Sequence, residues 1–384
     1  MVTYDVAIAG GGIIGCSIAF ELAGAGLRVI VLDRQEPGRE ASWAAAGMLS
    51  PGPDSPTALP LVPLAKESYR LYAAFAAQIE NASLQSVAFA RNGTLELFTG
   101  ADAEAARDAM LAQYASLAIR AGAITLVDAR DREPMLAPQI TAAAWLPEEA
   151  TIEPRALISA VIAACKRRGV QFRSGQAVAE ILRDATTGAA AGVQAGNETI
   201  RAAHVVIAAG SFCADIAGVA PTHPVKGQIL ALRHPKIRLA RVLRSEKAYL
   251  VPRLDGRLIA GSTLENVGFD KEVTSEGMHK ILEGVRELVP SLVGADIVET
   301  WAGLRPGTPD GLPILGETET KNLIVATGHY RNGILLAPAT AAIVRDIIVT
   351  GKTSFDISAY SPLRFAHAAE HTSNAASHSA PAAD

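Results

Sequence analysis

Cysteine is scarce in this chain: three in 384 residues, Cys16, Cys165 and Cys213, standing far apart with no CxxC pair. That spacing argues against a zinc site or a disulfide framework and fits a reducing compartment. Each thiol is expected to be a small buried apolar residue and inert. An excess of positive charge is also missing. Thirty-five Lys and Arg stand against 39 Asp and Glu, for a net charge of -4, so no phosphate-backbone or acidic-membrane partner is expected. No metal cluster is evident. The apolar start lacks a basic leader, and glycines interrupt it far short of the roughly 20 residues needed to span a bilayer. The expectation is a cytoplasmic protein without internal repeats.

What is present is a β-α-β pattern. Tyr4 to Ala9 reads as a buried strand, Ile13 to Ala25 has helical spacing, and Arg28 to Leu32 is a second β-rich run. Such a unit implies a parallel sheet. The signal returns with a helix after Pro154, with strand-like pieces at 170–173, 177–184 and 204–210, and with a strand at 322–328 followed by a helix at 334–349. Pro338 must lie in that helix's first turn or kink it. Between these pieces, GTLELF, GQILALR, AYLVPR and RLIAGS show antiparallel-sheet grammar, with one helix-like interval at Glu276 to Leu288. The predicted fold class is α/β: a nucleotide domain from residues 1–85, 151–220 and 301–365, and an inserted sheet domain from 86–150 and 221–300. Residues 366–384, rich in Ala, Ser and His, read as a disordered tail.

Gly10-x-Gly12-x-x-Gly15 follows a strand and opens a helix. The first glycine permits the turn, the second lets backbone approach a pyrophosphate, and the third allows close helix packing, while the helix N-terminus favours phosphate. Asp33, at the end of the second strand, can accept both ribose hydroxyls. These residues fit either FAD or NAD. The next run, EASWAAAGML at 40–49, has almost no side chain over three alanines and a glycine, so its backbone can lie against a flat ring; alone, it would also suit an alanine-rich helix.

Two arginines lie in unusual settings. Arg305, in GLRPG, has small apolar neighbours and no local carboxylate, and a buried guanidinium needs an anion. A substrate α-carboxylate fits its two-pronged donor face; a structural bridge to Asp310 is the competing reading. Arg331, in GHYRNG, has no acidic residue within ten positions on either side.

The motifs GGGIIG, ASWAAAGML, WAGLRPGTPDGLPILG and GHYRNGILLAPATA, in this order, resemble the glycine oxidases of the D-amino-acid oxidase family, of the kind serving thiamine biosynthesis. The likeness covers about residues 2 to 350. It implies a Rossmann-like FAD domain of glutathione-reductase type and non-covalent FAD. Implied cofactor contacts are Gly10, Gly12, Ile13, Ile14, Gly15, Asp33, Arg34, Ala41, Ser42, Ala46, Gly47, Met48, Val178 and the segment His329, Tyr330, Arg331, Asn332, Gly333, Ile334 and Leu335. Tyr249, Arg305 and Arg331 fall on the catalytic and substrate positions, and Leu264 on a pocket position where a methionine can stand. Lys247 replaces a histidine two residues before Tyr249, so narrow glycine specificity is not implied.

The resemblance implies oxidation of glycine, sarcosine or small D-amino acids such as D-alanine and D-proline. Hydride transfer to flavin would give imino acids, with oxygen as acceptor and hydrogen peroxide as product. By analogy it also implies a homo-oligomer, a tetramer in related enzymes. The alternatives are a dehydrogenase of D-amino acids or secondary amines that feeds a quinone, and a flavin-binding redox sensor without turnover.

Overall fold

The computed structural model describes residues 3–365 apart from 54 and 217–219; the tail expected at 366–384 lies outside the described residues. Among the described residues, the chain forms two eight-stranded sheets and a two-stranded ribbon. The first sheet runs in the order Ile314–Glu317, Leu323–Thr327, Glu198–Ile207, Thr3–Ala9, Val29–Leu32 and Gln171–Arg173, with Ala190–Ala195 and Val178–Arg183 added as an antiparallel extension. Thr3–Ala9 pairs in parallel with Val29–Leu32 on one side and Glu198–Ile207 on the other. Those three strands are nearly continuous runs of Val, Ile, Leu and Ala at their carboxyl ends, as a strand covered on both faces must be.

One face is covered by the helices Ile13–Gly24, Val62–Ser83, Pro154–Arg167 and Gly333–Thr350, whose apolar residues share a single core with the sheet. Gly333–Thr350 is the helix among the described residues long and apolar enough to cross a membrane. It is packed in that core instead, against Ile13–Gly24 and Val62–Ser83. Pro338 is its sixth residue, so it cannot donate to the Ile334 carbonyl. The buried Tyr72 hydroxyl donates to that carbonyl at 3.0 Å, and the Ser68 hydroxyl bridges Leu335 O (2.7 Å) and Ala339 N (3.1 Å). Two side chains of the helix Val62–Ser83 thus satisfy backbone groups around the proline, and the helix continues through it.

The second sheet has the order Asp296–Gly307, His223–Arg233, Leu258–Gly261, Tyr249–Pro252, Val242–Arg244, Thr94–Thr99, Ile140–Leu146 and Gly122–Ile124. Its pairings are antiparallel except for Val242–Arg244 with Thr94–Thr99. Two details depart from the sequence reading. The strand Asp296–Gly307 continues past position 301 within this sheet, so Arg305 stands on the second sheet and not on the nucleotide portion. The interval 86–150 also contains the helices Ala103–Ser116 and Leu126–Arg132.

Candidate active site

A cavity of about 300 Å³ opens at the carboxyl ends of Thr3–Ala9, Val29–Leu32 and Glu198–Ile207. That is where open parallel sheets take ligands. Gly10 has φ +108°, and a Cβ there would overlap the Ala208 carbonyl; a Cβ on Gly15 would meet the Gly10 carbonyl. The turn is therefore closed to side chains on both sides. The first amide of the following helix, Ile13 N, donates to Ser42 Oγ at 2.9 Å, tying the glycine turn to the small-residue run. Asp33 accepts from Gly11 N (2.7 Å) and Gln35 N (3.0 Å) while lining the cavity. Burial pushes its carboxyl up, and those two amides oppose the shift. Arg34 lies over the Phe212 ring, 3.3 Å from its centre, and pairs with Glu40 at 2.9 Å.

The sequence-predicted residues Gly10, Gly12, Ile13, Ile14, Asp33, Arg34, Ala41, Ser42, Val178, His329 and Gly333 line this cavity. Gly15 and Leu335 do not line it.

A second cleft of about 620 Å³ adjoins the first: Ala41, Ala45, Tyr330, Arg331 and Ile334 line both. Ala46, Gly47, Met48, Tyr249, Arg305, Arg331 and Asn332 line it. Strand pairing explains how its far-separated residues meet. Arg244 pairs with Tyr249, Tyr249 with Gly261, and Gly261 with Ile229, so all four project from one face. On the two strands at the edge, Arg305 and Gly303 share that face with Gly227. The space a Cβ would take at Gly227 holds the Arg305 guanidinium, and the space at Gly261 holds the Tyr249 hydroxyl.

Arg305 donates from Nη2 to Ser262 Oγ at 2.7 Å and from Nη1 to the Lys226 and Thr263 carbonyls, each at 3.2 Å. Among the described residues no carboxylate makes an ion pair with it. Asp310 pairs with Arg364 at 2.7 Å, which removes the structural bridge weighed above. Burial pushes Arg305 below its ordinary range; Tyr249 opposes that and the like charge of Arg331 adds to it. Tyr249 is pushed up by burial, with Arg305 and the nearby Ser262 hydroxyl working against the shift. A largely desolvated cation, a phenol and a second cation therefore face one small space. That set favours an anion.

Arg331 reaches the cleft because its loop is tied to the strand that carries Arg305: Tyr330 N donates to the Pro306 carbonyl at 3.1 Å. The neighbouring His329 ring is buried, shares a 3.0 Å hydrogen bond with Thr340 Oγ1, and burial lowers its pKa to about 3. It is a neutral structural ring.

Leu264 is a correction. It is 51% exposed and lines neither cavity; regular pairing of its strand ends at Gly261, and Leu264 stands just before the Glu265–Lys226 bridge that rejoins the sheet. Lys247 sits at the cleft rim with its charge answered by Glu287 at 2.6 Å. Sequence reasoning missed Gly227, Gly261, Ser262 and Ile229, together with a far wall in which Arg244 pairs with Glu96 and Glu149. Alternation along GQILALR and RLIAGS carries the signal for the glycines, but only once the register between strands is known. The three cysteines are buried, and burial pushes Cys165 and Cys213 up to about 12.

The joined cavities have the lining a dinucleotide would need: the glycine turn would hold its pyrophosphate, and the small-residue run from Ala44 to Met48 would leave room for a flat ring. The pattern of the family described as FAD dependent oxidoreductase (DAO) matches residues 5–347. Glycine oxidase of Geobacillus kaustophilus is 35% identical over 371 residues, covering 94% of this chain and 97% of the relative. The bifunctional protein ThiO/ThiG of Trichormus variabilis is 36% identical over 375 residues, 96% of this chain but 56% of the relative, so the chain spans about half the length of such relatives. Among solved structures, the glycine oxidase from Geobacillus kaustophilus superposes with a TM-score of 0.90 at 33% identity, covering 95% and 99% of the two chains. The L-proline dehydrogenase from P. horikoshii shares the fold, with a TM-score of 0.84 at 24% identity.

Proposed function

The chain belongs to the family of FAD-dependent oxidoreductases, and from that premise we propose that it oxidises glycine and other small amino acids, among them sarcosine, D-alanine and D-proline. The observation that carries this reading is Arg305: a guanidinium without a carboxylate partner among the described residues, beside Tyr249 and Arg331, in a cleft continuous with a dinucleotide cavity.

Arg305 and Tyr249 bind the substrate carboxylate, the first through its two-pronged donor face and the second through its hydroxyl. Arg331 adds positive charge at the junction of the two cavities. This fixes the amino acid by one end and leaves its Cα facing the small-residue run. FAD, if held along that run, would supply the two-electron acceptor for the hydride leaving Cα and the route for those electrons to oxygen. The overall balance for glycine is glycine, oxygen and water giving glyoxylate, ammonia and hydrogen peroxide.

No side chain is needed as base. Tyr249 stays a phenol because burial raises its pKa, and His329 is held neutral against Thr340 outside the amine's reach. The substrate must enter as the free amine. The ThiO/ThiG names of the fused relatives support a place in thiamine biosynthesis for this reading.

An oxygen electrode with a peroxide assay and a panel of glycine, sarcosine, D-alanine and D-proline tests it. Oxygen uptake matched by peroxide is expected. Reduction of a quinone-like dye without oxygen uptake would make the protein a dehydrogenase instead.

A further inference from the structure

The run from Ala44 to Gly47 lines the cleft, yet little of it is regular structure: a helix ends at Ala44, Ala45 is extended, and Gly47 has a φ of +77°. Three groups behind the wall hold it. Trp301 Nε1 donates to the Ala44 carbonyl at 3.1 Å. Arg253 donates from Nη2 to the Ala46 carbonyl and from Nη1 to the Ile152 carbonyl at 3.3 Å. Ile152 N donates to the Gly47 carbonyl at 2.9 Å. Arg253 is itself fixed by Glu153 at 2.9 Å, and the Trp301 ring lies under the guanidinium of Arg155, 4.6 Å away, which is bound at both ends by Glu299. Neither Trp301 nor Arg253 lines the cleft.

In a trans peptide the carbonyl and the following N–H point in opposite directions. Drawing the Ala44 and Ala46 carbonyls back toward Trp301 and Arg253 therefore turns the Ala45 and Gly47 amides the other way. Among the described residues neither amide has a hydrogen-bond acceptor. Backbone donors beside a cavity are completed by water until a ligand takes its place.

We propose that Arg253 and Trp301 are positioning residues that aim the Ala45 and Gly47 amides at the bound flavin, where these donors favour its reduced, more negative form. The inference rests on the flavin reading above but not on the identity of the amine. Donors aimed in advance at developing charge cost no reorganisation when electrons arrive, and here two side chains that line neither cavity do the aiming.

The test is a reductive titration of purified holoenzyme with dithionite against reference dyes, which requires no amine substrate and so stands apart from any failure of the amino-acid assignment. Trp301→Phe removes one donor without changing charge. It should shift the two-electron reduction equilibrium about tenfold toward oxidised flavin, about 30 mV more negative, and perturb the visible flavin bands. Arg253→Met should shift it further, with Arg253→Lys between. A Trp301→Phe protein with bound flavin and unchanged potential and spectrum overturns the proposal. A shift in Arg253→Met alone also overturns it, since lost charge would then account for the effect. Should Arg253→Met fail to hold flavin, the Trp301→Phe result decides.

Discussion

The glycine turn of the nucleotide cavity is built from residues adjacent in the chain, whereas the amine cleft is built from residues that meet only across strands. Gly10, Gly12, Ile13 and Ile14 form one turn, and their geometry follows from the local backbone. Arg305, Gly227, Gly261 and Tyr249 lie on four strands and fit together because two missing side chains leave room for a guanidinium and a phenol. A site of the first kind announces itself in sequence. A site of the second kind depends on register, and a one-residue slip would turn its side chains to the other face.

This contrast predicts separable defects. The largest effect is expected at Gly10→Ala, where a Cβ would overlap the Ala208 carbonyl at a φ of +108°. The purified protein should be colourless, with flavin undetectable after denaturation. Arg305→Ala should show the reverse pattern: flavin retained, with kcat/KM for glycine reduced about a hundredfold or more, mainly through KM. Gly227→Ala should resemble a milder Arg305→Ala, about tenfold in kcat/KM with flavin kept, because the new methyl displaces the guanidinium without removing it. If Gly227→Ala instead loses flavin, the two halves are not independent.

A smaller effect concerns acid stability. Burial holds His329 at a pKa of about 3 in the native protein, while an unfolded histidine titrates near 6.5. Between those values the unfolded chain takes up a proton that the native chain refuses, so stability falls as pH drops below about 6.5. His329→Gln should flatten that fall by up to about 1.4 kcal/mol per pH unit, measured by urea unfolding at neutral and mildly acidic pH. An unchanged slope would show that the ring accepts a proton in the folded protein.

Contiguity also explains what could be read from the sequence. The strand, turn and helix around Gly10 match their expected bounds closely, as do the strand Leu323–Thr327 and the helix after it. Whether Pro338 breaks that helix could not be read locally, because the answer lies in Tyr72 and Ser68, more than 250 residues earlier in the chain. The helix Ala103–Ser116 escaped notice because it buries few residues and has weak apolar periodicity. The run EASWAAAGML has an alanine-rich helical composition, yet only Ala41–Ala44 is helical; hydrogen bonds from Trp301 and Arg253 take the Ala44 and Ala46 carbonyls, and Gly47 turns the chain at a φ of +77°. The family resemblance puts Leu264 at a pocket position, but regular strand pairing stops at Gly261 and Leu264 is 51% exposed.

The central claim is that Arg305, with Tyr249 and Arg331, holds an amino acid by its carboxylate beside the flavin. Anaerobic mixing of the holoenzyme with glycine or with methylamine, which lacks only the carboxylate, tests it directly. Glycine should bleach the visible flavin band rapidly and methylamine should leave it unchanged. Equal bleaching by both would contradict the account.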